Sequence, residues 1–147
     1  MSKRDSIIEN IKTELAKITT TAGYNYTVGL IGENLVNPED LTADQFPALI
    51  VLDSDETKND ASVDELRNEM MPLIVGYLKP TVWADNKKEV RKLLADVEKC
   101  LCADRNRGTL AINTLPASIK TDHGFNQPFG IFEFQFKISY LQEYGTP

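Results

Sequence analysis

The sequence predicts an α+β fold, with a mostly antiparallel sheet of four to five strands and two helices packed on one face. Two segments repeat apolar residues every three or four positions, which is typical of amphipathic helices. The last long segment alternates apolar and polar residues, which is typical of a half-buried antiparallel strand. No helix follows each strand and no glycine-rich turn joins a strand to a helix, so a parallel α/β sheet is not favoured.

Both predicted helices have recognisable ends. The first begins at Ser2 or Asp5 as the cap and ends near residues 19–21, and its apolar stripe is Ile7, Ile11, Leu15 and Ile18. The second covers Lys87 to Cys102, with Asp85 as its cap. Its apolar stripe is Val90, Leu93, Leu94, Val97 and Leu101, and its opposite face carries Lys88, Arg91, Lys92, Asp96 and Lys99.

The remaining pattern predicts strands separated by loops. Strands are expected at residues 24–31, 48–52, 66–79 and 109–119, and at a last strand with Phe132, Phe134, Phe136, Ile138 and Tyr140 on one face. Pro72 and Pro116 lack a backbone donor, so each is expected at an edge or an irregularity. The segment 32–46 is predicted as a loop with one helical turn after Pro38, and the acidic segment after residue 52 as a mobile hairpin loop.

Length and composition predict a single α/β domain over residues 1–147. A chain of 147 residues with 41% hydrophobic content suits one core, and no internal repeat is visible. No apolar stretch is long enough for a signal peptide or a membrane span, so we expect a soluble protein that stays in the compartment where it is made. Cys100 and Cys102 are interpreted as a buried thiol and its neighbour in a reducing compartment.

No catalytic, cofactor-binding or metal-binding residues are predicted. His123, the only histidine, lies in a turn-like stretch and is interpreted as a solvated loop residue. Asp53, Asp55 and Asp64 match three positions of a calcium-binding loop, but Lys58 stands where that loop requires glycine. Gly29 and Gly32 lack the third glycine of a dinucleotide fingerprint, so the sequence indicates neither an enzyme nor a cofactor.

Charge is distributed unevenly along the chain. Residues 53–65 hold six acids and one base, a net charge of −5, out of −6 for the whole chain. Residues 79–107 hold eight bases and five acids, a net charge of +3. The chain as a whole is therefore poorly suited to nucleic acid, and no sequence-specific nucleic-acid partner and no membrane partner are expected.

Several features together resemble the tail terminator proteins of long-tailed bacteriophages. These are the order of elements, the phrase Phe46–Val51 after a loop, the acidic hairpin, the helix from Lys87 to Cys102, and the closing strand that ends in Ser139 and Tyr140. The resemblance covers nearly the whole chain. It implies a structural virion protein without cofactor that forms a ring, expected to be a hexamer, on the tail tube.

The same resemblance implies partners and a location. The ring stops polymerisation of the tail tube protein and presents a surface to head-completion or neck proteins, so the protein is expected in the virion tail, assembled in the host cytoplasm. Alternatives are another neck or tube component, or a non-viral regulatory α/β domain that binds a small ligand. A hydrolase would require an activated His123 or cysteine.

The uneven charge predicts which surfaces meet between subunits of such a ring. A ring contact joins two different patches of the same protein. The acidic candidates are Asp53, Asp55, Glu56 and Asp60, and the basic candidates are Lys88, Arg91, Lys92 and Lys99. The alternative interpretation is two solvated faces, because exposed ion pairs contribute only about 0–1 kcal/mol each.

Overall fold

A computed structural model describes all of residues 1–147 and has two helices and seven strands. The helices are α1 (Lys3–Leu15) and α2 (Asn86–Ala103). The strands are β1 (Leu30–Gly32), β2 (Ala48–Leu52), β3 (Glu56–Asp60), β4 (Glu65–Met70), β5 (Leu73–Leu78), β6 (Asn113–Thr121) and β7 (Gly130–Glu143). All seven strands belong to one sheet, and the predicted α+β class is confirmed.

The 14-residue strand β7 is the centre of the sheet. On one side it pairs with β5 along residues 130–135 and with β4 along residues 138–143, and on the other side it pairs with β6. Strand β2 pairs with β5, and β3 pairs with β4. Only the short β1 runs parallel to its neighbour, β2, so the prediction of a mostly antiparallel sheet is also confirmed.

The number of strands differs from the predicted four to five because the predicted strand 66–79 is divided in two and because residues 56–60, predicted as part of a loop, form a strand. Residues 53–55 separate β2 from β3, and Met71 and Pro72 separate β4 from β5. The two interruptions lie side by side, since the Met71 N–H donates to the Asp55 carbonyl at 3.0 Å. Pro72 has no N–H with which to continue the ladder. Strands β2 to β5 therefore form one long, interrupted hairpin.

The prediction that the acidic segment is a mobile loop is wrong for residues 56–60. Residues 56–60 form the regular strand β3, which is paired with β4 over five positions. Only residues 61–64 turn the chain at the tip of the hairpin. This strand has no apolar alternation because it is an edge strand whose residues 57–60 are exposed, so its sequence carries no sign of burial.

The predicted first strand is also much shorter than expected. Only Leu30–Gly32 forms β1, because the backbone N–H groups of Asn25 and Tyr26 donate to the side chain of Asp96 on α2 and not to a neighbouring strand. Three further details differ from the prediction: α1 ends at Leu15 and not near residues 19–21, β6 covers Asn113–Thr121 and not 109–119, and Asp85 stands at the N-cap of α2 without a side-chain hydrogen bond. The remaining details are as predicted. Ser2 caps α1 through a capping box with Asp5, a 3₁₀ turn begins at Pro38, and β6 changes register between Pro116 and Ser118.

The core lies between the sheet and both helices, which confirms that the helices share one face. The buried residues of that face come from α1, α2 and the central strands, and include Ile7, Ile11, Leu15, Leu93, Val97, Leu101, Phe132, Phe134, Phe136 and Ile138. The opposite face buries a smaller group around Ile50, Val75 and Tyr77, which the segment between β1 and β2 covers. No helix is both long and apolar enough to cross a membrane.

Truncation of Phe134 is expected to reduce stability strongly. Its side chain is 1% exposed in the core under the helices, so Phe134→Ala should lower the free energy of unfolding by about 3–5 kcal/mol. The matched control is Phe125→Ala, whose ring is 86% exposed and whose loss should change stability by less than about 0.5 kcal/mol. Urea denaturation followed by fluorescence measures both, and equal effects would contradict this core.

Candidate subunit interface

The four acidic candidates occupy two different environments. The Asp53 carboxylate accepts a hydrogen bond from the guanidinium of Arg4 in α1 at 2.5 Å. The Glu56 side chain is only 5% exposed. Asp55 and Asp60 are exposed and form no ion pair. Within the predicted acidic set, only Asp55 and Asp60 are therefore free to meet another molecule.

Glu56 is the centre of a polar network that ties the hairpin to the rest of the domain. Its carboxylate accepts a hydrogen bond from the Tyr140 hydroxyl at 2.7 Å and lies 3.0 Å from the Lys58 ammonium and 3.4 Å from the Arg4 guanidinium. Lys58 also donates to Gln142 at 2.8 Å. The network joins α1, β3 and β7, so Glu56 serves the fold of its own chain.

Burial and the Glu56 hydrogen bond act together on Tyr140. The side chain is 2% exposed, and burial, followed by the bond to Glu56, raises the pKa of Tyr140 to about 12. The neutral phenol is the form that donates to the carboxylate. Tyr140 therefore keeps its proton to a higher pH than an exposed tyrosine.

The four basic candidates on α2 also divide into bound and free groups. Lys92 pairs with Glu89 at 3.3 Å, and Lys99 donates to the Gly23 carbonyl at 3.1 Å and lies over the Tyr24 ring. Lys88 and Arg91 are exposed and form no ion pair. Two of the four predicted bases therefore remain available at the surface.

The prediction that Asp96 lies on the outer face of α2 is wrong. Its side chain is 2% exposed and accepts the backbone N–H groups of Asn25 and Tyr26, each at 3.0 Å. A buried carboxylate needs such donors to replace water. Asp96 therefore fixes the segment that follows α1 against α2.

A groove that the sequence did not reveal lies beside the N-terminal half of α2. It has a volume of about 380 Å³ and runs between the helix and the turn that follows β6. Val90, Leu94 and Ile131 provide its apolar lining, and Lys87 and Arg91 stand on its rim. The Arg91 Nε donates to the Lys87 carbonyl at 3.1 Å. Arg91 therefore belongs both to the predicted basic set and to the groove.

The tip of the β3–β4 hairpin carries an exposed apolar residue. Val63 is 93% exposed, and Asp60 and Asp64, both exposed as well, stand on either side of it. The signal in the sequence is a large aliphatic residue in an otherwise small and polar turn. Val63 belongs to no repeating pattern of apolar positions, so periodicity does not reveal it.

Of the two free acids, Asp60 lies near the end of β7 that is opposite to the groove, whereas Asp55 lies beside Met71 at the base of the hairpin. The hairpin tip adjoins the C-terminal end of β7, where Glu65 pairs with Glu143. The groove adjoins its N-terminal end at Ile131. The 12 residue steps between Ile131 and Glu143 span about 40 Å in an extended strand. Asp60 at the hairpin tip and Arg91 at the groove therefore do not meet within one chain.

The groups that could perform chemistry are dispersed. His123 is exposed in the turn after β6, with a backbone φ of 57°. Cys100 is buried, its Sγ donates to the Glu14 carbonyl at 3.1 Å, and burial raises the pKa of its thiol. No three His, Cys, Asp or Glu side chains are arranged to hold a metal ion. None of these groups forms a nucleophile–base pair.

Comparison with known proteins identifies the fold. No family model matches this sequence, and no protein of curated function is similar to it. Among solved structures, the fold is similar to a chain of the "Virion of native gene transfer agent (GTA) particle", with a TM-score of 0.56 and 13% sequence identity. The similarity covers 90% of this chain and 92% of the other. The two chains share an architecture over nearly their full lengths.

Replacement of Tyr140 should change how stability depends on pH. The folded protein holds the Tyr140 proton up to about pH 12, whereas the unfolded chain releases it near pH 10, so stability falls as pH rises between these values. Tyr140→Phe should flatten that fall, and the control Tyr144→Phe, at a position 49% exposed, should not. Urea titrations at several alkaline pH values measure the slopes, and an unchanged slope for Tyr140→Phe would contradict the network.

Proposed function

We propose that this protein is a structural component of a phage-type virion that caps the tail tube as a ring, stops tube polymerisation and provides the surface for head attachment. The observation that carries the proposal is the shared architecture with a chain of a gene transfer agent virion over 90% of this protein. The resemblance of the sequence to tail terminators supplies the more specific role of a cap.

The surface of the domain supports assembly as its function. The exposed acids Asp60 and Asp64 lie at one end of the central strand, and a groove with the free bases Lys87 and Arg91 lies at the other. Two complementary patches on one chain are what a heterologous contact between identical subunits requires. The groups with catalytic potential are dispersed, which supports a role without enzymatic activity.

The proposed partners follow from this role. The protein would bind copies of itself in a ring, proposed to be a hexamer as in the family that it resembles. One face of the ring would bind the tail tube protein and the other a head-completion or neck protein. The protein would be part of the virion tail, without cofactor or membrane partner.

Growing tail tubes should be shortened by this protein if it is the cap. Tube protein polymerised with the protein at one ring per tube should give short tubes with the protein at one end, as seen by electron microscopy with a labelled chain. The control is an unrelated acidic protein of equal size, which should leave the tube length unchanged.

Other distributions of the label would contradict the cap. Label along the whole tube would identify a tube component, and label on heads without tubes would identify a neck component. Absence from tubes and heads, together with a monomer in light scattering, would favour the regulatory domain that binds a small ligand.

A further inference from the structure

We propose that the groove beside α2 binds the tip of the β3–β4 hairpin from a second copy of this chain. The proposal rests on the ring of the proposed function and deepens it by naming the two surfaces that meet. The ligand is a short acidic turn with one aliphatic side chain, and the receptor is an apolar groove with a basic rim.

The receptor is suited to a small apolar side chain. Val90 and Leu94 stand one helical turn apart on α2, and together with Ile131 they give the groove an apolar lining. Leu94 remains partly exposed although it belongs to the apolar stripe of the helix. The volume of about 380 Å³ exceeds what a single valine side chain needs, so there is also room for the backbone of a turn.

The rim of the groove is suited to carboxylates. Lys87 and Arg91 lie one turn apart on the exposed side of α2, and neither forms an ion pair within the chain. The one acid on this rim, Asp122, already accepts backbone N–H groups of Gly124 and Asn126. The two cations are therefore the charged groups that remain unpartnered at the groove.

The hairpin tip has the complementary chemistry. Val63 extends into solvent, and Asp60 and Asp64 flank it without an ion pair in their own chain. Placing Val63 over Leu94 would bring the two carboxylates towards Lys87 and Arg91. Burial of the aliphatic side chain would favour the contact, while the charges would orient the tip and speed association.

The geometry requires two copies. Tip and groove are about 40 Å apart along β7, which is held by pairing on both sides and cannot fold back on itself. Each copy then offers one tip and one groove, so the contact is heterologous and repeats from subunit to subunit. Such a contact builds a closed ring when its rotation closes.

Disulfide trapping tests the contact directly. In a Cys102→Ser background that keeps the buried Cys100, Val63→Cys combined with Arg91→Cys should give, on mild oxidation, a ladder of covalent multimers on a denaturing gel. Val63→Cys alone should give no species beyond a dimer. The matched control is Val63→Cys with Glu98→Cys, an exposed position on the same helix face about 10 Å further along, which should give no ladder.

Charge exchange provides a second readout in the protein without added cysteines. Asp60→Lys with Asp64→Lys should weaken self-association at least tenfold in light scattering at low salt, and Lys87→Glu with Arg91→Glu should do the same. All four changes in one chain should restore association to within about threefold of the parent. Far-UV circular dichroism verifies that each variant is folded.

The outcomes separate this contact from the proposed function. One outcome is a ring that forms, on tubes or alone, while the cysteine pair gives no ladder and charge reversal does not weaken self-association. That result would overturn the docking of the tip but leave the cap intact. A ladder and charge rescue in a protein that never binds tubes would support the docking and overturn the cap. A chain that stays monomeric in all conditions would overturn both.

Discussion

The structure depends on the pairing and burial of β7 along its whole length. Phe132, Phe134, Phe136, Ile138 and Tyr140 all point to the face covered by α1 and α2, and each is at most 2% exposed. Because successive side chains of a strand alternate between faces, a shift by one residue would expose all five. Both helices, the long hairpin and β6 take their positions from this one strand.

The pairing of β7 also explains why hydrogen bonds and ion pairs hold the β3–β4 hairpin to the domain. Strand β6 pairs with β7 only as far as Ser139, and beyond it residues 140–143 pair with β4 alone. There the apolar core gives way to the network of Glu56, Tyr140, Lys58 and Arg4. The acidic tip of the hairpin therefore lies at the C-terminal end of β7.

The two ends of β7 carry surfaces of different chemistry. The acidic turn with Val63 lies at one end of β7, and the groove with Lys87 and Arg91 lies at the other. A domain with such ends is suited to repeated contact between copies, in keeping with the proposed place in a virion tail. The charge asymmetry of the sequence does not by itself show which acids are available to another molecule. Asp53 and Glu56 form ion pairs with Arg4 of their own chain and therefore stabilise the fold.

The sequence by itself determined the elements whose burial repeats with a regular period. The α+β class and the antiparallel sheet were predicted correctly from the apolar stripes of α1 and α2, the apolar run of β2 and the alternation of β7. The spacing of apolar residues shows which side of a helix or strand faces the core. Only the tertiary structure decided β3, the buried Asp96, the Glu56 network and the groove. The buried Asp96 and the Glu56 network depend on partners that are distant in the sequence, such as Asn25 with Asp96, 71 positions apart, and Tyr140 with Glu56, 84 positions apart. A local pattern carries no record of such partners, and topology alone brings them together.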